Sequence, residues 1–118
     1  MILYNAQSDY GGADFLALGL RNGIPELSFN VGSGTAVISA EKPITFGKWH
    51  TIKIARNRKN GTIIVDDNLP IEGAVRGRFV GLDLGTELFL GGAPPEVNYA
   101  LDTGFENGFV GMNFEINF

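Results

Sequence analysis

The sequence predicts an all-β fold, an antiparallel β-sandwich, on three observations. Apolar residues alternate with polar or small residues in most segments, which is the period of strands with one buried face. Turn residues separate these segments at spacings of roughly 8–12 residues, as in sandwiches and barrels. Glycine, at 17 of 118 residues, is about twice as frequent as the ordinary ~7%. We expect little helix, because no segment combines helical periodicity with a convincing cap.

The composition indicates one folded domain over residues 1–118 and excludes several function classes. Hydrophobic residues make up 44% and charged residues 19%, which excludes intrinsic disorder. The absence of cysteine excludes thiol catalysis, disulfides and cysteine-type zinc sites, and a single histidine excludes a multi-histidine zinc site. The net charge of −4 disfavours nucleic-acid binding. We expect neither a signal peptide nor membrane insertion, because no apolar stretch is long enough.

The first hairpin is the clearest element. Segments 14–20 and 26–31 alternate, and Asn22-Gly23 between them is a strong hairpin signal. In the second segment Leu27, Phe29 and Val31 are predicted to face inward and the intervening polar residues outward.

Further strands are predicted in the rest of the chain, with loops at the breaks in the pattern. They cover 35–39, 49–56, 62–66 and 88–90, with a final alternating segment at 110–118. Residues 57–61 are predicted to turn the second hairpin, and 93–107 to form a loop without periodicity. The predicted core includes Leu18, Leu20, Phe29, Ile54 and Phe114.

Five segments resemble consecutive motifs of the laminin G-like family, of the perlecan and agrin type. They are 2–5 (ILYN), 14–20 (DFLALGL), 47–52 (GKWHTI), 88–92 (LFLGG) and 108–111 (GFVG). The resemblance implies a curved two-sheet sandwich, the concanavalin-like jelly roll of legume lectins. Where the family has a cysteine this chain has Met112, and the family domain is longer at both ends. We therefore expect a trimmed, redesigned or divergent version that lacks the family's flanks.

A calcium site on the rim of the sandwich is implied by the resemblance. The family's two carboxylates fall on Asp14 and Asp83, and its two backbone carbonyls on Val31 and Gly81. Independently, the predicted hairpin puts Asp14 and Val31 side by side on one rim. Two carboxylates predict weak affinity, roughly 10⁻⁴–10⁻³ M. Alternatively, both aspartates are ordinary turn residues.

Two surface features lie around the second hairpin. The basic residues Lys53, Arg56, Arg58 and Lys59 are candidate contacts for an anionic glycan, or a turn kept polar for solubility. The sequence Asn60-Gly61-Thr62 makes Asn60 a candidate N-glycosylation acceptor, unless Asn-Gly is simply the turn of this hairpin.

We expect no enzymatic activity. His50, next to Trp49, is interpreted as a packing or edge residue, and no Gly-x-Ser-x-Gly elbow accompanies it. For glycoside hydrolysis Asp102 and Glu115 are the late carboxylate candidates, but no paired acidic strand motif occurs.

The predicted function is that of a non-catalytic, extracellular adhesion module. By resemblance, it binds a dystroglycan-type receptor or heparan sulfate in a calcium-dependent way. Alternatives are a structural scaffold that binds nothing, and a carrier of a small apolar ligand between the sheets.

Overall fold

The computed structural model describes residues 1–8, 13–32, 34–45, 47–75, 84–85 and 87–109. The secondary-structure elements of these residues, in chain order, are β1 (Leu3–Ala6), β2 (Phe15–Arg21), β3 (Ile24–Asn30), β4 (Thr35–Ser39), β5 (Ile52–Asn57), β6 (Asn60–Val65), β7 (Ile71–Ala74), β8 (Phe89–Leu90) and α1 (Tyr99–Thr103). The predicted final strand at 110–118, with Met112 and Phe114, lies outside the described residues. So do Gly81 and Asp83.

The strands form two antiparallel sheets. One has the order β4-β3-β2-β1-β8 and the other the order β5-β6-β7. The first hairpin is confirmed: Arg21 pairs with Ile24, and the turn residues Asn22 and Gly23 have φ of 54° and 79°. These left-handed conformations explain the Asn-Gly pair, since asparagine and glycine adopt them most readily.

The space between the sheets is filled by aliphatic side chains and by Phe29. The members of this cluster are Leu3, Leu18, Leu27, Phe29, Val31, Ala36, Ile38, Ile63, Val65 and Val75. The predicted core residues Leu18 and Phe29 are confirmed, at 7% and 0% exposure. Leu20 and Ile54 are half-buried. Among the described residues, Leu27, Phe29 and Ile63 are fully buried in the space where a ligand between the sheets would lie.

The other face of the five-stranded sheet is also covered, contrary to the sequence prediction. Residues of the 93–109 segment pack there against β1 and β2, in a cluster of Met1, Tyr4, Ala6, Phe15, Ala17, Val97, Tyr99 and Phe105. Glu26 and Ser28, predicted to face outward, are therefore 5% and 1% exposed. The prediction was wrong because alternation separates the two faces of a strand but does not reveal a distant segment that covers the polar one.

Residues 93–107 are not wholly a loop. The helix α1 lies within them, and the Oδ1 of Asn98 accepts a hydrogen bond from the backbone N–H of Leu101 at 3.2 Å. Gly104 ends the helix at φ 74°, in the left-handed conformation common after helices. The described residues thus contain little helix, as expected, and the sequence pattern does not reveal α1 because five residues are too few to produce a helical period.

The second hairpin turns at Arg58 and Lys59, not through Asn60-Gly61. Asn57 pairs with Asn60, and Arg56 with Gly61. Arg58 carries the positive φ, 59°. The interpretation of Asn60-Gly61 as turn residues was wrong because Gly61 lies on the core side of β6, where a Cβ would come within 2.5 Å of the Phe29 ring.

Candidate functional site

The rim residues Asp14 and Val31 are neighbours at the open end of the β2–β3 hairpin. Phe15 pairs with Asn30 at the last described step of the ladder, so Asp14 and Val31 face each other just beyond it. The carbonyl of Asp14 accepts a hydrogen bond from the N–H of Gln7 at 2.8 Å, which ties it to the end of β1. The expected adjacency of Asp14 and Val31 is therefore present.

The turn after Val31 is also held locally. The Oδ1 of Asn30 accepts a hydrogen bond from the N–H of Gly32 at 2.7 Å. Gly32 has φ of 103°, a conformation that favours glycine. Both chain segments at the rim are thus fixed by short-range hydrogen bonds.

The chemistry of the rim suits calcium. A carboxylate from Asp14 and a main-chain carbonyl from Val31 are hard oxygen donors of the kind this ion prefers. In the described part of the chain, no three His, Asp or Glu side chains converge to hold a metal ion. A site at Asp14 would therefore depend on main-chain carbonyls and on Asp83 and Gly81, which lie outside the described residues.

The four basic residues do not all share one surface. On β5, Lys53 pairs with Ile64 and Arg56 with Gly61, so the two side chains leave opposite faces of the strand. The Nη1 of Arg56 donates to the carbonyl of Arg58 at 2.7 Å. Arg56, Arg58 and Lys59 therefore gather at the hairpin tip, and Lys53 lies on the outer face of the three-stranded sheet.

His50 has a partner that the sequence reading missed. Its Nδ1 lies 2.8 Å from the Oδ2 of Asp66, the residue directly after β6. The Oδ1 of Asp66 accepts a hydrogen bond from the N–H of Thr51 at 2.8 Å. The hydrogen bond raises the pKa of His50, against burial and the positive charge of Lys48. The same bond lowers the pKa of Asp66.

The Nε2 of His50 contacts the backbone of Thr45, so both ring nitrogens of the imidazole have partners within the chain. It lies 3.0 Å from the N–H and 3.1 Å from the carbonyl oxygen of that residue. Neutral imidazole accepts from the N–H, and protonated imidazole donates to the carbonyl. His50 thus fastens the segment before β5 to the end of β6.

The described late carboxylate also has a structural role. The Oδ2 of Asp102 accepts a hydrogen bond from the hydroxyl of Tyr4 at 2.7 Å, which ties α1 to β1. Glu115, the other candidate, lies outside the described residues.

A second interaction holds the 93–109 segment on the sheet. The Nε and Nη2 of Arg21 donate to the two carboxylate oxygens of Glu26 at 2.9 and 3.2 Å. The Nη2 also donates to the carbonyl of Thr103 at 2.7 Å. The Arg21 guanidinium lies 4.5 Å from the centre of the Phe105 ring. One guanidinium therefore joins the first hairpin to the end of α1.

The exposed surface includes large apolar side chains. Trp49 is 72% exposed and Leu69 87%. Concave surfaces are open depressions on the outside: one beside α1 includes Pro94, Tyr99 and Glu106, and another lies on the outer face of β6 and β7. No helix in the described ranges is long and apolar enough to cross a bilayer.

Known proteins resemble this chain over nearly its whole length. A family model described as the Laminin G domain matches residues 1–115. The chain is 38% identical over 122 residues to the mouse basement membrane-specific heparan sulfate proteoglycan core protein, covering 98% of this chain and 3% of that protein. Human pikachurin is 41% identical over 86 residues, which cover 73% of this chain and 8% of that protein. The chain thus spans a small part of these relatives.

Among solved structures, domains LG4-5 of the mouse laminin α1 chain superpose with a TM-score of 0.78 at 28% identity. The match covers 92% of this chain and 28% of that one. The LG1-3 region of the laminin α2 chain gives a TM-score of 0.67 at 28% identity, over 82% of this chain and 21% of that one. The predicted antiparallel sandwich is thereby confirmed. The chain belongs to the laminin G domain family.

Proposed function

We propose that this chain is a non-catalytic adhesion module that acts outside the cell, binds the acidic glycan of a cell-surface receptor in a calcium-dependent way and binds heparan sulfate through a separate basic surface. Family membership and relatives that include a basement membrane proteoglycan core protein support an extracellular matrix role. The observation that carries the calcium dependence is the juxtaposition of Asp14 and Val31 on one rim.

The residues that would hold calcium are Asp14 and Asp83 through carboxylates, and Val31 and Gly81 through carbonyls. The described half of this set fits, because carboxylate and carbonyl oxygens are hard donors and hydrogen bonds hold the backbone at Asp14 and on both sides of Val31. When bound, calcium supplies a divalent positive charge that can take an acidic oxygen of a partner. Asp14 contributes the charge that makes removal of water from the ion favourable.

The basic tip is a second contact for a negatively charged partner. Arg58 is exposed, and Lys59 follows it in the two-residue turn. Exposed cations at a hairpin tip attract sulfated or acidic sugars at long range, and salt screens this attraction over about 8–10 Å. The tip therefore supports heparan sulfate as a partner, in a salt-dependent and calcium-independent manner.

The proposal is tested by measuring binding of the chain to two immobilised probes, the acidic glycan of a dystroglycan-type receptor and heparan sulfate, with calcium or with a chelator. We expect binding to the receptor glycan to be lost when calcium is chelated and in the variant Asp14→Asn. Heparan sulfate should be retained under both conditions and lost in a double variant, Arg58→Ala with Lys59→Ala. If neither probe binds in millimolar calcium, the chain is a scaffold and the proposal is wrong.

A further inference from the structure

We infer that Asn60 is an N-glycosylation site. The sequence Asn60-Gly61-Thr62 is the single Asn-x-Ser/Thr sequence of the chain, and its middle residue is not proline. The inference rests on the extracellular location in the proposed function, because the modification occurs in the secretory pathway. It is independent of calcium and of any receptor.

The turn does not explain why asparagine is at this position. The two turn residues are Arg58 and Lys59, and the positive φ belongs to Arg58. Asn60 is the first residue of β6 and pairs with Asn57. Glycine is required at position 61 by packing, since a Cβ there would collide with Phe29 and Ile38. The Asn-Gly pair is therefore a packing glycine preceded by an asparagine that neither the turn nor the core requires.

The two side chains that define the acceptor sequence share the solvent face. Side chains two residues apart in a strand lie on the same side, and Gly61 between them faces the core. Asn60 is exposed and Thr62 half-buried. On the neighbouring strands, Asn60 lies opposite Asn57 and Ala74, which are both exposed.

The surface beside Asn60 has room for a sugar. An open depression of about 400 Å³ is lined by Asn60, Thr62, Glu72, Gly73 and Ala74. Most of these side chains are short, so a sugar ring on the amide of Asn60 can lie over β6 and β7 without moving the sheet. A glycan would then cover the outer face of the three-stranded sheet and leave the β2–β3 rim to a partner.

The reaction joins the Nδ2 of Asn60 to C1 of the first sugar of a lipid-diphosphate-linked oligosaccharide. The bond between C1 and the diphosphate oxygen breaks, and the lipid diphosphate leaves. The amide gives up one proton to a base of the transferase. The acceptor therefore changes from a primary to a secondary amide, with no oxidation or reduction.

The test is secretion of the chain from eukaryotic cells behind a cleavable signal peptide, followed by intact mass and peptide mapping. We expect a glycan on the peptide that contains Asn60. Release by an amidase-type glycosidase in heavy-oxygen water should leave a labelled aspartate at this position. Asn60→Gln and Thr62→Ala should remove the glycan.

Two matched variants separate glycosylation from folding. Thr62→Ser keeps the acceptor sequence and should keep the glycan. Asn57→Gln changes the opposite exposed asparagine, which lies outside any such sequence, and should also keep it. An unmodified Asn60 peptide in the secreted native chain would overturn the inference, even if a variant failed to be secreted. A second result would also overturn the inference: position 60 is already an unlabelled aspartate before glycosidase treatment, and the glycosidase releases no glycan. Such an aspartate indicates deamidation of the Asn-Gly sequence.

Discussion

The Nδ1 of His50 lies 2.8 Å from the Oδ2 of Asp66, and this contact joins the segment before β5 to the residue directly after β6. The His50 side chain is 16% exposed and that of Asp66 42%. Asp66 has φ of 53°, so it also shapes the turn that follows. The pair is a surface-accessible ion pair whose strength depends on the charge of both groups.

The first prediction is a pH window for the stabilisation by this pair. The pKa of His50 is raised by its hydrogen bond to Asp66, so its contribution is complete below the unfolded pKa of about 6.5 and is lost as pH rises through the folded pKa. The pKa of Asp66 is lowered by the same bond, so its contribution is present above about 3.9 and is lost as pH falls through the folded pKa. The combined effect is greatest between these limits.

The measurement is the melting temperature of the native chain and of His50→Gln at several pH values. The difference should be larger at pH ~5 than at pH ~8, because the contribution of His50 falls as pH rises above its unfolded pKa of about 6.5 toward its raised folded pKa. Asp66→Asn should give the same profile, and asparagine tolerates the positive φ at this position. Lys48→Gln should raise the folded pKa of His50 and so extend the stabilisation to higher pH, since the charge of Lys48 opposes protonation of His50. A difference that is flat or grows from pH ~5 to ~8 contradicts the prediction.

The second prediction concerns Arg21 and Glu26. The Glu26 side chain is 7% exposed and that of Arg21 44%. Arg21→Ala leaves a buried carboxylate without its charged partner and detaches the carbonyl of Thr103. We expect the free energy of unfolding to fall by about 1–3 kcal/mol, measured by urea denaturation.

Two further variants define the pair. Arg21→Ala combined with Glu26→Gln should cost less than the sum of the single changes, because the double variant no longer buries an unpaired charge. Lys53→Ala, on the exposed outer face of β5, should change stability by no more than about 0.5 kcal/mol. Additive costs for the double variant would mean that Arg21 acts through its contacts with Phe105 and the carbonyl of Thr103 and not through Glu26.

The sequence predicts those parts of the fold in which the contacting residues are close together along the chain. The first hairpin could be predicted because Asn22-Gly23 fixes its turn and alternation fixes its faces. The rim pair Asp14 and Val31 follows from the same register. The burial of Glu26 could not be predicted, because the segment that covers it is about 80 residues away and has no regular period.

The partner of His50 was missed for a different reason. With the turn placed at 57–61, the register of β5 and β6 is undefined. With the turn at Arg58 and Lys59, Ile52 pairs with Val65, and the next step puts Thr51 opposite Asp66. The signal was therefore in the sequence, but it required the correct turn. All four calcium ligands come from the family's motif and remain a prediction, and only the adjacency of Asp14 and Val31 follows from the strand register.

The third prediction concerns the close approach of Gly19 and Phe105. A Cβ on Gly19 would come within 2.5 Å of two atoms of the Phe105 ring. In an open strand, Gly→Ala would stabilise by roughly 0.5–1 kcal/mol. Here overpacking outweighs this gain, and we expect Gly19→Ala to destabilise by about 1–3 kcal/mol in urea denaturation.

The matched test for this prediction is relief of the clash. In a Phe105→Leu background the added methyl has more room, so the cost of Gly19→Ala should shrink or change sign. Equal costs in both backgrounds would show that Phe105 is not what limits position 19.

The last prediction is stabilisation by calcium through the rim. An ion that binds the folded chain stabilises it by RT ln(1 + [L]/Kd), which is about 1.4 kcal/mol at ten times Kd. For a domain of this size that corresponds to a rise in melting temperature of about 5 °C.

Asp14→Asn should abolish the rise and leave the fold intact, because it removes a charged donor without changing the shape of the side chain. Asp67→Asn, at an exposed turn after β6, should leave the rise unchanged. Magnesium should substitute poorly, since it requires tighter octahedral geometry and sheds water reluctantly. If millimolar calcium produces neither heat in calorimetry nor a rise in the native chain, or if Asp14→Asn responds like the native chain, then Asp14 does not ligate calcium and the rim is an ordinary hairpin end.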